Sequence, residues 1–161
     1  MIDFPFGDPT LRSELAIEAL CQSLTDASET QIQTKYETCY QISRAFLLRR
    51  VGTARENVES AIRWANRALD GAAKNEGQPT QCDATLLLGE LYIARLEGER
   101  TTNLDMAEKY YLEAAKLVDK DRDPNRWCRA RLGWANVLTK LVLRYRTQRL
   151  TIAMAALTEV L

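Results

Sequence analysis

The side chains in this sequence best suited to chemistry are its cysteines, its neighbouring carboxylates and its arginines. The residue most often used for catalysis is missing, because the chain has no histidine. Without imidazole, Ser-His-Asp and Cys-His mechanisms, general-base work near neutral pH and most zinc sites have no starting point. Cys21, Cys39, Cys82 and Cys128 contain no C-x-x-C pair. A thiolate zinc site or a dense disulfide framework would want closer spacing, so the four read as reduced thiols in or near a core. Asp119, Asp121 and Asp123 alternate like the start of a calcium loop, but the loop's glycine and distal glutamate are absent. Asp123, directly before Pro124, is better explained as a helix cap. Glu97 and Glu99 read as solvated carboxylates of a hairpin loop. Neither a Gly-rich phosphate loop nor a G-x-S-x-G elbow is present. The expectation is a protein that is not an enzyme and that uses no cofactor and no metal.

What must position such side chains is a set of helices. The 161 residues carry 22 basic and 22 acidic side chains and are 46% hydrophobic, which suits a single globular domain and not a disordered chain. Apolar residues recur at three and four positions, as in Ile32, Tyr36, Cys39, Ile42 and Phe46, and no stretch alternates like a strand. Asp8-Pro9 and Asp123-Pro124 mark helix starts, and Ser28-x-x-Gln31 and Thr53-x-x-Glu56 fit the capping box, with Thr80 and Thr102 as further candidate caps. Breakers stand at Gly71, Gly77 and Pro79, at Gly98, and over residues 120–123. The spacing predicts helices over 9–24, 30–51, 55–74, 81–96, 103–119, 124–145 and 149–161. The segment Met1 to Thr10 holds Asp3 and Asp8 with no basic or long apolar run, so it resembles neither a secretory signal nor a transit peptide. With no membrane-length apolar run, the expected location is the cytoplasm.

The helices repeat. Displacing residues 42–68 by 46 positions puts Arg49, Gly52, Asn57, Ala61 and Ala68 on Arg95, Gly98, Asn103, Ala107 and Ala114, and Phe46 and Trp64 on Tyr92 and Tyr110. Leu88-Gly89 recurs as Leu132-Gly133, and Leu104, Ala107 and Glu113 recur as Leu150, Ala153 and Glu159. Periods of this size indicate a solenoid of helical hairpins. Leu88-Gly89-x-x-Tyr92 followed by Ala107-x-x-x-Tyr111-x-x-Ala114 resembles the tetratricopeptide repeat, and Ala61, Ala65 and Ala68, like Ala153, Leu157 and Val160, keep the second-helix spacing. The resemblance covers residues 30–161, with a longer period than that family's and with Ser43 where the first glycine would stand. HEAT-type and other α-solenoid repeats share the period. The fold this implies is all-α: a right-handed α-solenoid of about seven helices in antiparallel hairpins. An extension (1–8) precedes one domain (9–161) made of a half repeat (9–24) and hairpins over 30–74, 81–119 and 124–161.

The resemblance also implies a concave groove lined by the first helix of each hairpin. Carried over through the Leu-Gly anchor, its positions are Glu37, Tyr40, Arg44 and Leu47, then Asp83, Leu86, Glu90 and Ile93, then Trp127, Ala130, Trp134 and Val137. The family's carboxylate clamp for chaperone C-termini is not reproduced at Tyr40, Arg44, Leu86, Glu90, Ala130 and Trp134. Trp127 and Trp134, seven apart on one helical face, suit a binding hot spot or a core. Charge is zoned, with net −5 over residues 1–40, +3 over 41–81, −4 over 82–121 and +6 over 122–161. Neighbouring helices of opposite sign would attract. Alternatively Arg122, Arg126, Arg129, Arg131, Lys140, Arg144, Arg146 and Arg149 form a basic surface for RNA or an acidic ligand. The expected function is to bind a partner peptide or helix in the groove. The alternative is self-association into a homo-oligomer through the apolar segment Leu150 to Leu161, since a solenoid end needs a polar cap. Nucleic acid is the weaker expectation, and no membrane partner is expected.

Overall fold

The computed structural model describes residues 9–28, 31–75, 77–141 and 148–160. Seven α-helices and no strand make up these residues: α1 (Pro9–Asp26), α2 (Ile32–Leu48), α3 (Ala54–Lys74), α4 (Gln78–Ala94), α5 (Arg100–Leu117), α6 (Pro124–Leu141) and α7 (Gln148–Thr158). The all-α architecture expected from the periodicity is the one observed. The chain gathers into two compact units, Met1–Thr80 and Gln81–Leu161. Within the first, α1 packs on α2 and α2 on α3; within the second, α5 packs on α6 and α6 on α7. Core residues of α4 join α5 and α6 in the second unit. No helix among the described residues is long and apolar enough to cross a membrane.

Local chemistry explains most helix boundaries. Thr53 caps α3 with a complete box: its hydroxyl accepts from the Glu56 N–H at 3.2 Å, and Glu56 Oε2 accepts from the Thr53 N–H at 3.3 Å. Asp123 Oδ1 accepts from the Arg126 N–H at 3.1 Å at the start of α6. Four expected signals act differently. α2 begins after Gln31, whose Oε1 accepts from the Ser28 N–H at 3.2 Å, so the helix starts at the glutamine of that box and not just after its serine. Thr80 lies inside α4 and is buried, and α5 starts after Glu99, three residues ahead of the cap expected at Thr102. Gly71 does not break α3; a Cβ there would stand 2.7 Å from Tyr36 Cβ, so the glycine lets α2 and α3 approach. Asp8, the cap expected for α1, lies outside the described residues.

The 46-residue relation holds in three dimensions. Gly52 and Gly98 both take positive φ, 78° and 75°, in their hairpin loops. Just beyond them Asn57 and Asn103, both buried, reach back to the same backbone position. Asn57 Nδ2 donates to the Val51 carbonyl at 2.9 Å and Asn103 Nδ2 to the Glu97 carbonyl at 2.7 Å. Arg49 lies over the Phe46 ring at 5.6 Å and Arg95 over the Tyr92 ring at 5.4 Å. Ala61, Ala68, Ala107 and Ala114 are all fully buried. The equivalence fails where side-chain size changes. Gly89 lies under the ring of Tyr111, whereas the equivalent pair is Ser43 and Ala65, and the Ser43 hydroxyl donates to the Ala61 carbonyl at 2.7 Å. The larger first-helix residue thus goes with the smaller second-helix one. Of the four thiols, all free, Cys39 and Cys82 are buried and Cys21 and Cys128 half-buried.

Candidate partner-binding surfaces

In the first unit α1 and α2 are held by a two-pronged ion pair. Arg49 Nε meets Glu14 Oε1 at 2.6 Å and Arg49 Nη2 meets Glu14 Oε2 at 2.8 Å. The paired guanidinium holds the Glu14 carboxyl below the usual carboxylate range. This pair ties the start of α1 to the end of α2, and a groove of about 760 Å³ runs between the two helices. Its apolar lining is Ala16, Ala19 and Leu20 from α1 with Ala45 and Leu48 from α2. Its charged lining among the described residues is Arg12, Arg44 and Arg50, without a carboxylate, and Ser13 and Gln41 lie beside them. Leu48 is 70% exposed and Leu15, beside the groove on α1, 55%. Of the groove positions expected on α2, Arg44 lines this groove and lies 5.9 Å from the Tyr40 ring. Glu37 is exposed, while Tyr40 and Leu47 are half-buried. The contribution of α1 was missed, because the half repeat has no second copy of itself to align with.

In the second unit the expected groove acids and the expected basic surface meet and neutralise each other. Arg126 Nε and Nη2 donate to the Asp83 carboxylate at 2.9 and 2.8 Å, and Arg126 Nη1 reaches Asp123 Oδ2 at 2.6 Å. Arg129 lies 3.7 Å from Asp83 and 3.5 Å from Glu90. The Arg126 side-chain hydrogen bond, then its backbone N–H, draws the Asp123 carboxyl below its ordinary range, and the two carboxylates raise the Arg126 guanidinium. Arg122 is exposed and 3.7 Å from Asp119, and Lys140 is exposed. Arg144 and Arg146 lie outside the described residues, as does the side chain of Arg149. The described arginines of the last hairpin are therefore engaged with carboxylates and do not form a free basic patch. The other loop carboxylates have local work. Asp119 Oδ1 accepts the Asp121 N–H at 2.9 Å, and Glu99 accepts from the Thr101 hydroxyl.

Three expected groove positions are corrected. Leu86, Ala130 and Val137 belong to the core, with Cys82, Leu104, Ala107, Tyr111, Ala114 and Leu141, and are at most 1% exposed. Cys82 and Leu86 on α4, like Ala130, Val137 and Leu141 on α6, form inward stripes at helical spacing, and burial there excludes an external partner. Ile93 packs against the same core, half-buried. Trp127 and Trp134 are neither wholly core nor free. Arg131 sits between them, its guanidinium carbon 5.7 Å from the Trp127 ring and 4.6 Å from the Trp134 ring, and Lys120 lies 4.7 Å from the outer Trp127 ring. Trp134 Nε1 donates to Glu108 Oε1 at 3.2 Å, and Arg131 pairs with Glu159 beyond α7. This ladder uses the aromatic and basic residues of α6 to fasten α5, α6 and the end of α7. On α7, Ala153 and Ala156 are buried, whereas Met154 is 63% exposed and Ile152 and Leu157 are exposed beside them.

Comparison with protein-family models, with curated proteins and with solved structures finds no match.

Proposed function

We propose that this chain is a tetratricopeptide-like helical-repeat module that binds a partner peptide or helix and has no catalytic role. The repeat reading rests on the paired loop glycines, buried asparagines and cation–π contacts that recur at one displacement. The binding reading rests on a single observation, the α1/α2 groove. It is concave, has an apolar floor, lies within the 300–1,000 Å³ common for ligand sites, and carries arginines along its rim. Its floor of Ala16, Ala19 and Ala45 offers the small side chains by which this fold already brings helices together, as at Ala61, Ala65 and Ala68. Helix-in-groove recognition needs such a surface.

The test is selection from a displayed peptide library, with counter-selection against Ala19→Trp. Ala19 is exposed, so the variant fills the groove from outside while sparing the core. Peptides with apolar residues at i, i+3 or i+4, and i+7 should be enriched on the native chain and lost on the variant. Equal enrichment on both would end this reading. One observation favours a second reading, self-association: α7 leaves Met154 exposed on the side away from its buried alanines and Ile152 and Leu157 exposed on either flank of them. Light scattering of the native chain and of Met154→Glu at high concentration tests it, and a monomeric native chain would exclude it.

A further inference from the structure

Resting on the reading of the α1/α2 groove as the partner site, we infer that its occupant is an amphipathic helix with acidic residues gathered at one end. The groove is electrically lopsided. The Arg49–Glu14 pair fixes the start of α1 beside the end of α2. Arg12, near the start of α1, and Arg50, just past the end of α2, therefore flank the same end, while Arg44 stands in the middle of the groove with its guanidinium turned toward Tyr40. The far end is lined by Ala19, Leu20 and Gln41, and the charge that reaches it is the Arg44 guanidinium over the Tyr40 ring. Among the described residues neither Arg12 nor Arg50 has an ion-pair partner, and Arg44 contacts only the Tyr40 ring. Arg49, Arg126 and Arg131, which are less exposed, are matched within the fold, by Glu14, by Asp83 and Asp123, and by Glu159. At the Arg12 and Arg50 end of the groove, positive charge without an ion-pair partner among the described residues thus borders an apolar floor.

Length sets the size of the occupant. From Arg12 to Ala19, and from Gln41 to Leu48, is seven residues, about 10 Å of helix. That matches about two helical turns, enough for apolar residues at i, i+3 or i+4, and i+7. The alanine floor admits a helix backbone close to the surface, which suits a helix better than an extended strand needing an open sheet edge. Acidic side chains on the last turn then meet the Arg12 and Arg50 guanidiniums, with the negative end of the partner's macrodipole pointing the same way. The occupant therefore lies with its carboxyl end over Arg12 and Arg50.

The probes are three labelled twelve-residue helical peptides sharing one leucine stripe: one with three glutamates in its last turn, one with three lysines there, and one with the glutamates in its first turn. Each is titrated into the full-length chain by fluorescence anisotropy, with amide shift mapping. The last-turn glutamate peptide should bind with shifts confined to α1 and α2, the lysine peptide at least tenfold more weakly, and the first-turn peptide in between. Raising salt should narrow the gap, because exposed pairs are screened. Arg12→Glu with Arg44→Glu, both exposed positions, should reverse the preference while circular dichroism stays unchanged. Equal binding of the glutamate and lysine peptides in the groove would overturn the acidic partner and leave the groove reading standing. Absence of groove shifts with every peptide would overturn both. Binding to anionic phosphatidylserine vesicles that displaces the glutamate peptide would assign the arginines to a membrane surface and overturn the inference.

Discussion

Gly133→Ala is the most demanding test of the packing, because its two contributions have opposite sign. Replacing glycine by alanine inside an exposed helix stabilises it by about 1 kcal/mol through propensity. At residue 133 the added Cβ would stand 2.1 Å from Tyr111 Cε1, 2.4 Å from Cζ and 2.5 Å from Cδ1. The ring cannot easily yield, since it is 3% exposed and also lies over Gly89, where a Cβ would stand 2.8 Å away. Overpacking of this kind costs about 1–3 kcal/mol, and an approach more than 1 Å inside ordinary contact belongs at the upper end. The net loss is about 2 kcal/mol, or a fall in Tm of about 4–8 °C for a chain of this size. Thermal unfolding followed by circular dichroism, and by fluorescence in a Trp64→Phe background that leaves Trp127 and Trp134 as reporters, measures it in the unit concerned. The same substitution in a Tyr111→Leu background removes the clash and keeps the propensity gain, so it should stabilise by about 1 kcal/mol relative to that background. If Gly133→Ala raises Tm equally in both backgrounds, the glycine is not there to admit the tyrosine ring and the argument fails.

Asn57→Ala and Asn103→Ala should each destabilise by about 1–3 kcal/mol, because each removes a buried amide that donates to a part-buried loop carbonyl. A neutral result at one site by urea unfolding would break the equivalence of the two hairpins. Glu14, Glu56 and Asp123 all have carboxyls held below their ordinary range, by Arg49, by the Thr53 hydroxyl and backbone, and by Arg126 respectively. A depressed folded pKa contributes stability that is present above the ordinary carboxylate pKa and lost as pH falls through the folded one. Tm should therefore hold from neutral pH to just above the reference values of 4.5 and 3.8 and then drop. In Glu14→Gln with Asp123→Asn the drop should be shallower, and an unchanged profile would remove these groups from the account.

What was legible in the sequence was what a few neighbouring residues decide. The Thr53 box, the Asp123 cap, and the loop glycines at 52 and 98 each act over three or four positions, and all are found in those roles. The displacement of 46 was visible because the same buried asparagine and the same alanines recur. Gly71 misled because its sequence neighbour Gly77 does separate two helices and Pro79 sits in the first turn of the next, while its own reason, the Tyr36 side chain, lies on another helix. The pairing of Arg126 with Asp83 joins residues 43 apart and required α4 and α6 to be neighbours first. Zoned charge announced that opposite signs exist but not which guanidinium would be left over. Leu86, Ala130 and Val137 were misplaced by a rotation of their helices that the Leu-Gly anchor alone does not fix.

One register position shows how a repeat comes to keep a site. Arg44 and Glu90 are equivalent at a displacement of 46, and Trp134 follows Glu90 by the 44 that relates Gly89 to Gly133. Glu90 is answered by Arg129 from α6, and Trp134 by Glu108 from α5 and Arg131 of its own helix. Arg44 meets only Tyr40 among the described residues and turns to the groove. A side chain whose partners lie within the fold stabilises it, and one without them is free for another molecule. Arg126→Ala should therefore cost about 1–2 kcal/mol, since it breaks hydrogen-bonded pairs that are only part-exposed and leaves Asp83 unmatched. Arg44→Ala should stay within about 0.5 kcal/mol of the native chain, as exposed substitutions do. Urea unfolding of the two variants beside the native chain measures the contrast. A loss at Arg44 equal to that at Arg126 would mean that its charge is already used by the fold, and the groove would lose its middle arginine as a binding group.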